Sequence, residues 1–143
     1  MEWKLYLVKG IELIFLSIGT FFDIKSQRLP VNFLCLFTGI SVLENIILQY
    51  QEEKEMIFGI TMGIFFLMLG WITKETIGYG DGWSLLILGI MEGGNKLAKI
   101  VILAFGLSAF WGIWKLIVLR EGRDSTLPFL PCLFVSVLGM SIL

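Results

Sequence analysis

The 143-residue chain contains no histidine. That absence excludes Ser-His-Asp and Cys-His triads, imidazole general bases and histidine-based metal sites. Cysteine is nearly absent too. Cys35 and Cys132 stand far apart in apolar runs with no CxxC spacing, and they read as small core-filling thiols rather than a disulfide or zinc site. Charge is almost balanced, with 11 basic and 12 acidic residues for a net charge of −1, which leaves no electrostatic case for nucleic acid. No cofactor motif, internal repeat or low-complexity linker occurs, so neither a metal nor a cofactor is expected.

Hydrocarbon is what remains. Hydrophobic residues make up 57% of the chain and the mean hydropathy is +0.86, whereas soluble domains are usually about 45–50% apolar. Six apolar runs stand out, at 5–22, 31–48, 56–72, 79–91, 97–119 and 127–143. A helix needs about 20 residues to cross a bilayer, so six crossings consume most of the chain. The expectation is an all-α, polytopic membrane protein, a single domain over 1–143 with about six transmembrane helices, one of them short. The first run lacks a small-residue cleavage site and leads straight into Asp-Ile-Lys, so it reads as a permanent helix rather than a signal peptide.

The connecting segments alternate between two sides. One side collects Lys25, Arg28, Lys74, Arg120 and Arg123, and the other Lys54, Lys96 and Lys99 together with Lys4 and Lys9. The positive-inside rule favours the first set as cytoplasmic. Glu44 and Lys115, inside apolar runs but near their ends, read as snorkelling side chains.

The fourth run is different. Between Asp81 and Glu92 only residues 82–91 are free of charge, about 15 Å of helix at 1.5 Å per residue, or half of a hydrocarbon layer roughly 30 Å thick. Either this helix is a half-span or it starts with Asp81 already recessed below the membrane surface, and Asp81 is expected beside a wet pocket, approached by irregular backbone that Gly78 and Gly80 permit.

An ionisable group within a membrane segment is a functional hypothesis by default. A second aspartate, Asp23, ends the first run, and the alternating topology puts it on the same face as Asp81. Two carboxyls brought together share one proton. The ionised member can take a proton from water, while the protonated member hydrogen-bonds the carbonyl under attack. The plain reading of each aspartate alone is an interfacial residue or a helix cap.

At these residues the chain resembles the type IV prepilin peptidase family, membrane aspartic peptidases that trim leader peptides from type IV pilins and related proteins. Three anchors carry the resemblance in order: Asp23 followed seven residues later by Pro30, the GxGD motif Gly78-Tyr79-Gly80-Asp81, and the late segment Leu127-Pro128-Phe129-Leu130-Pro131. The resemblance implies that Asp23 and Asp81 are the catalytic pair, that Gly78 and Gly80 support the motif by letting substrate backbone lie beside it, and that the site faces the cytoplasm from a multi-pass cell membrane protein. It implies a prepilin or pseudopilin-like protein substrate, cut after a glycine at the start of a hydrophobic helix, and no nucleic acid. Two positions depart from the family's usual pattern: Val31 separates Pro30 from Asn32, and Trp83 stands where a lysine is common. The cysteine-rich insertion of longer members is missing, so the expected activity is peptidase without methyltransferase. Two rival readings stand beside this one: a GxGD protease of the presenilin kind, and a non-catalytic protein such as a proton-coupled carrier or assembly subunit. The sequence carries no signature of oligomeric state.

Overall fold

The computed structural model describes residues 2–26, 29–49, 51–72, 79–118 and 129–142. They form six helices: α1 (Glu2–Ser26), α2 (Val31–Leu48), α3 (Glu53–Ile72), α4 (Tyr79–Glu92), α5 (Gly94–Ile117) and α6 (Leu130–Ile142). Among the described residues there is no strand, as an all-α membrane fold requires. In lipid a helix satisfies its own backbone, and an open strand edge does not.

Helices α1, α2, α3 and α5 are long and apolar enough to cross a membrane. Helices α4 and α6 are shorter, at 14 and 13 residues. One short helix was expected and two are found. The start expected for the last helix at Leu127 lies outside the described residues. The helix itself begins at Leu130, with Pro131 in its first turn, where a missing N–H leaves no intrahelical bond unmade.

Exposure is inverted relative to a soluble protein. Large apolar side chains face outward, among them Tyr6, Ile47, Trp71 and Ile102, while Glu12, Asp23, Ser41, Glu44, Asn45, Ser84, Glu92 and Ser136 are buried. Such an outer surface is stable only in hydrocarbon.

Helix α4 is the centre of the bundle. It packs along α3 and also touches α2, α5 and α1, while α6 joins α5 to α1. Residues 84–94 of this region are almost continuously buried, the signature of a helix covered on all sides. At about 1.5 Å per residue α4 is only about 21 Å long, and its protein jacket removes the need to match the bilayer. Glycine makes the jacket tight. A side chain at Gly59 would strike the carbonyl of Gly89, and one at Gly63 would lie against Leu86. A single residue, Gly93, turns the chain from α4 into α5 at φ 86°, a torsion that side chains resist.

Between α1 and α2 lies an aromatic layer. Phe15 stacks on Phe33 at 5.5 Å between centroids and tilts against Phe37 at 5.0 Å, and Phe22 meets Phe33 at 5.7 Å. It packs α1 against α2 along the stretch that leads to Asp23.

Candidate active site

Asp23 sits in the last turn of α1 and is 7% exposed. A carboxylate is disfavoured at the C-terminal end of its own helix, where carbonyls point outward. Another helix resolves the conflict. Oδ2 of Asp23 accepts a hydrogen bond from the backbone N–H of Leu130 at 3.2 Å, and the N–H of Phe129 bonds the same side chain. These amides open α6, so Asp23 is a helix cap after all, but for a helix more than a hundred residues away. The cap brings the first and third sequence anchors together.

Asp81 occupies the first turn of α4, where a negative charge complements the helix dipole. It is partly buried and lies within electrostatic reach of Asp23. Both aspartates therefore stand at one end of the bundle, with Asp81 under the influence of the Asp23 charge. The Cys132 thiol, in the first turn of α6, is also within electrostatic reach of Asp23. Among the described residues no group of three or more Cys, Asp or Glu side chains is arranged to hold a metal.

The supporting glycines fare differently. Gly78 lies outside the described residues. Gly80 is helical rather than irregular, because α4 begins already at Tyr79. A Cβ at Gly80 would come within 3.1 Å of Leu29, and one at Gly19, a turn before Asp23 on α1, would touch Leu29 and Leu130. Leu29 thus wedges between the two aspartate-bearing helices. Trp83, the departure from the lysine common in the family, donates its indole N–H to Thr38 Oγ1 at 2.8 Å and ties α4 to α2.

The opposite end of the bundle holds polar groups that the sequence reading passed over. Lys9 Nζ bridges two carboxylates, donating to Glu12 Oε2 at 3.1 Å and to Glu92 Oε1, and Lys96 lies 3.4 Å from Glu92 Oε2. Glu12 is fully buried and Glu92 nearly so. The spacing was visible: Glu12 precedes Asp23 by eleven residues, and Glu92 follows Asp81 by eleven. Glu44 corrects the snorkelling expectation. It is 6% exposed, and neither carboxylate oxygen meets a donor among the described residues, because its position on α2 faces the bundle with Leu34, Phe37, Ser41 and Leu48. Nearby, Asn45 and Gln51 both donate to the Ile90 carbonyl, lining a cavity of about 820 Å³ at the end remote from the aspartates.

The family model described as the type IV leader peptidase family matches residues 11–113, well over half of the chain and a span that takes in both Asp23 and Asp81. No curated protein and no solved structure matches the sequence.

Proposed function

Because the chain belongs to the type IV leader peptidase family, we propose that it is a membrane-embedded aspartic endopeptidase that removes the leader from prepilin-like proteins at the cytoplasmic face of the cell membrane. One observation supports this reading most: the interacting pair Asp23 and Asp81, both held at one end of a bundle whose outside is apolar.

The chemistry follows from two carboxyls sharing a proton. Their ionised partner removes a proton from water as it attacks the scissile carbonyl. The protonated partner donates to the carbonyl oxygen and stabilises the oxyanion. On collapse the proton taken from water passes to the leaving amine, and the pair returns to its starting state. Its two protonation steps belong to the pair and not to either residue, so kcat/KM is expected to be bell-shaped in pH. The α6 amides hydrogen-bond the Asp23 side chain, a contact that limits the reorganisation needed when substrate arrives.

A substrate whose hydrophobic helix lies in the bilayer would present its cleavage site at the level of the pair. Co-expression with a prepilin-like protein tests the proposal. The wild type should remove the leader, while Asp23→Asn and Asp81→Asn should each abolish removal and still accumulate in the membrane. Near-wild-type cleavage by either variant overturns the assignment.

One observation favours a second reading. The buried Glu44, whose carboxylate meets no donor among the described residues, is, with Glu12 and Glu92, what a proton-coupled carrier would use. Proton flux in vesicles without cleavage of any prepilin-like substrate would select it.

A further inference from the structure

We propose that Lys9, Glu12 and Glu92 form a positioning clamp that sets the approach of Asp23 to Asp81 from the far end of the same two helices. The inference rests on the peptidase reading above.

Helix geometry makes the connection. Eleven residues at about 100° each return to within about 20° of the starting face, some 16 Å further along the axis. Glu12 and Asp23 therefore share one face of α1, and Glu92 and Asp81 share one face of α4. The helices run in opposite directions, so Glu12 and Glu92 share one end while Asp23 and Asp81 share the other. Neither helix is interrupted by proline, so a shift at one end is carried to the other.

Apolar packing alone does not set this register. Helices α1 and α4 touch over only a short length, whereas α1 packs more extensively on α6 and α4 on α3. The α6 cap fixes Asp23 relative to α6. The ion cluster adds a direct polar tie between α1 and α4. Lys9 reaches across from α1 to Glu92 while holding Glu12 on its own helix, and Lys96 adds a second cation to Glu92. Charge-assisted hydrogen bonds are stronger than neutral ones, and here they join a partly exposed Lys9 to the buried Glu12 and Glu92. Their best-attested contribution is register rather than net stability. A displacement of about 1 Å between catalytic groups lowers rate by about a hundredfold.

The test uses the full chain in proteoliposomes with a prepilin-like peptide. Lys9→Met and Glu92→Gln are expected to lower kcat about 10- to 100-fold with KM nearly unchanged, because the clamp touches no part of the substrate. Lys9→Arg, which keeps a cation between Glu12 and Glu92, is expected to retain most of the wild-type kcat. A second readout is independent of catalysis. With Asp23→Cys and Asp81→Cys introduced in a Cys35→Ser, Cys132→Ser background, thiol cross-linkers of graded length should give a narrow reach that Glu92→Gln broadens. Unchanged kcat together with unchanged cross-linking in Glu92→Gln overturns the clamp. A uniform fall in folded protein, with normal kcat per folded molecule, reduces the cluster to a stability element and also overturns it. If the wild type cuts no such peptide, the peptidase reading fails while the cross-linking still decides the clamp.

Discussion

The side chain of Asp23, at the end of the first helix, accepts the backbone N–H of Leu130, which opens the last helix 107 positions later. One carboxylate thus serves two purposes: it closes the bundle between its first and last elements, and it stands within electrostatic reach of Asp81. Substitutions can separate them. Asparagine keeps an acceptor oxygen for the α6 amides but cannot share a proton as an acid. Asp23→Asn should hold its thermal midpoint in detergent close to that of the wild type and lose all measurable cleavage. Asp23→Ala should lose cleavage and also about 1 kcal/mol of stability, the usual cost of an N-cap. Equal midpoints for the two variants would show that the cap contributes nothing.

Gly80 poses a narrower question, because the space beside it holds Leu29. If Gly80 is small in order to admit Leu29, then Gly80→Ala should lower kcat/KM and a second change, Leu29→Ala, should restore much of the loss. If it is small in order to admit substrate backbone, the double variant should remain as impaired as Gly80→Ala alone. A double-mutant cycle on leader cleavage gives the coupling directly, with about 0.5–3 kcal/mol typical for residues in contact.

The close approach of α3 to α4 at Gly59 makes a prediction about stability alone. Gly59→Ala places a methyl against the Gly89 carbonyl, so α3 and α4 must move apart. Overpacking of this kind costs about 1–3 kcal/mol, read as a lower thermal midpoint or weaker accumulation in the membrane. Gly10→Ala is the control. Nothing lies within 4 Å of a Cβ there, and alanine in a helix interior is favoured over glycine by about 0.8–1.0 kcal/mol. That variant should be unchanged or more stable.

Much of this architecture was legible from apolar run length. The boundaries of α2 coincide with the expected run, and those of the other helices shift by a few residues, because charged residues such as Glu2, Glu53 and Lys96 remain helical beyond the hydrocarbon stretches. Alternation of the connections was enough to put Asp23 and Asp81 on one face. Which helix lies beside which was not legible, since six apolar segments of similar composition carry no pairing code. The cap on α6 joins residues at the two ends of the chain and has no local signature. The eleven-residue spacing of Glu12 from Asp23 and of Glu92 from Asp81 was readable, and it becomes meaningful only once α1 and α4 are known to touch. Glu44 misled for a related reason. Distance from a helix end suggests snorkelling, but the direction of the side chain is set by the heptad face it shares with Phe37, Ser41 and Leu48.

Glu44 also provides the sharpest separation of the two functional readings. It is buried on α2, and both of its oxygens lack a donor among the described residues. An unmet buried acceptor costs about 1–3 kcal/mol, and an apolar side chain of similar reach removes that cost. Under the peptidase reading Glu44 lies apart from the chemistry, since it stands three turns of α2 beyond Phe33, which packs on Phe22, the neighbour of Asp23 in the chain. Glu44→Leu should then raise the thermal midpoint and leave leader cleavage unchanged. Under the carrier reading the same carboxyl is a proton station, so the substitution should abolish flux whatever it does to stability. Measuring unfolding, cleavage and vesicle proton uptake on this one variant therefore distinguishes an acid retained for transport from one that is a packing defect in an otherwise well-packed membrane bundle.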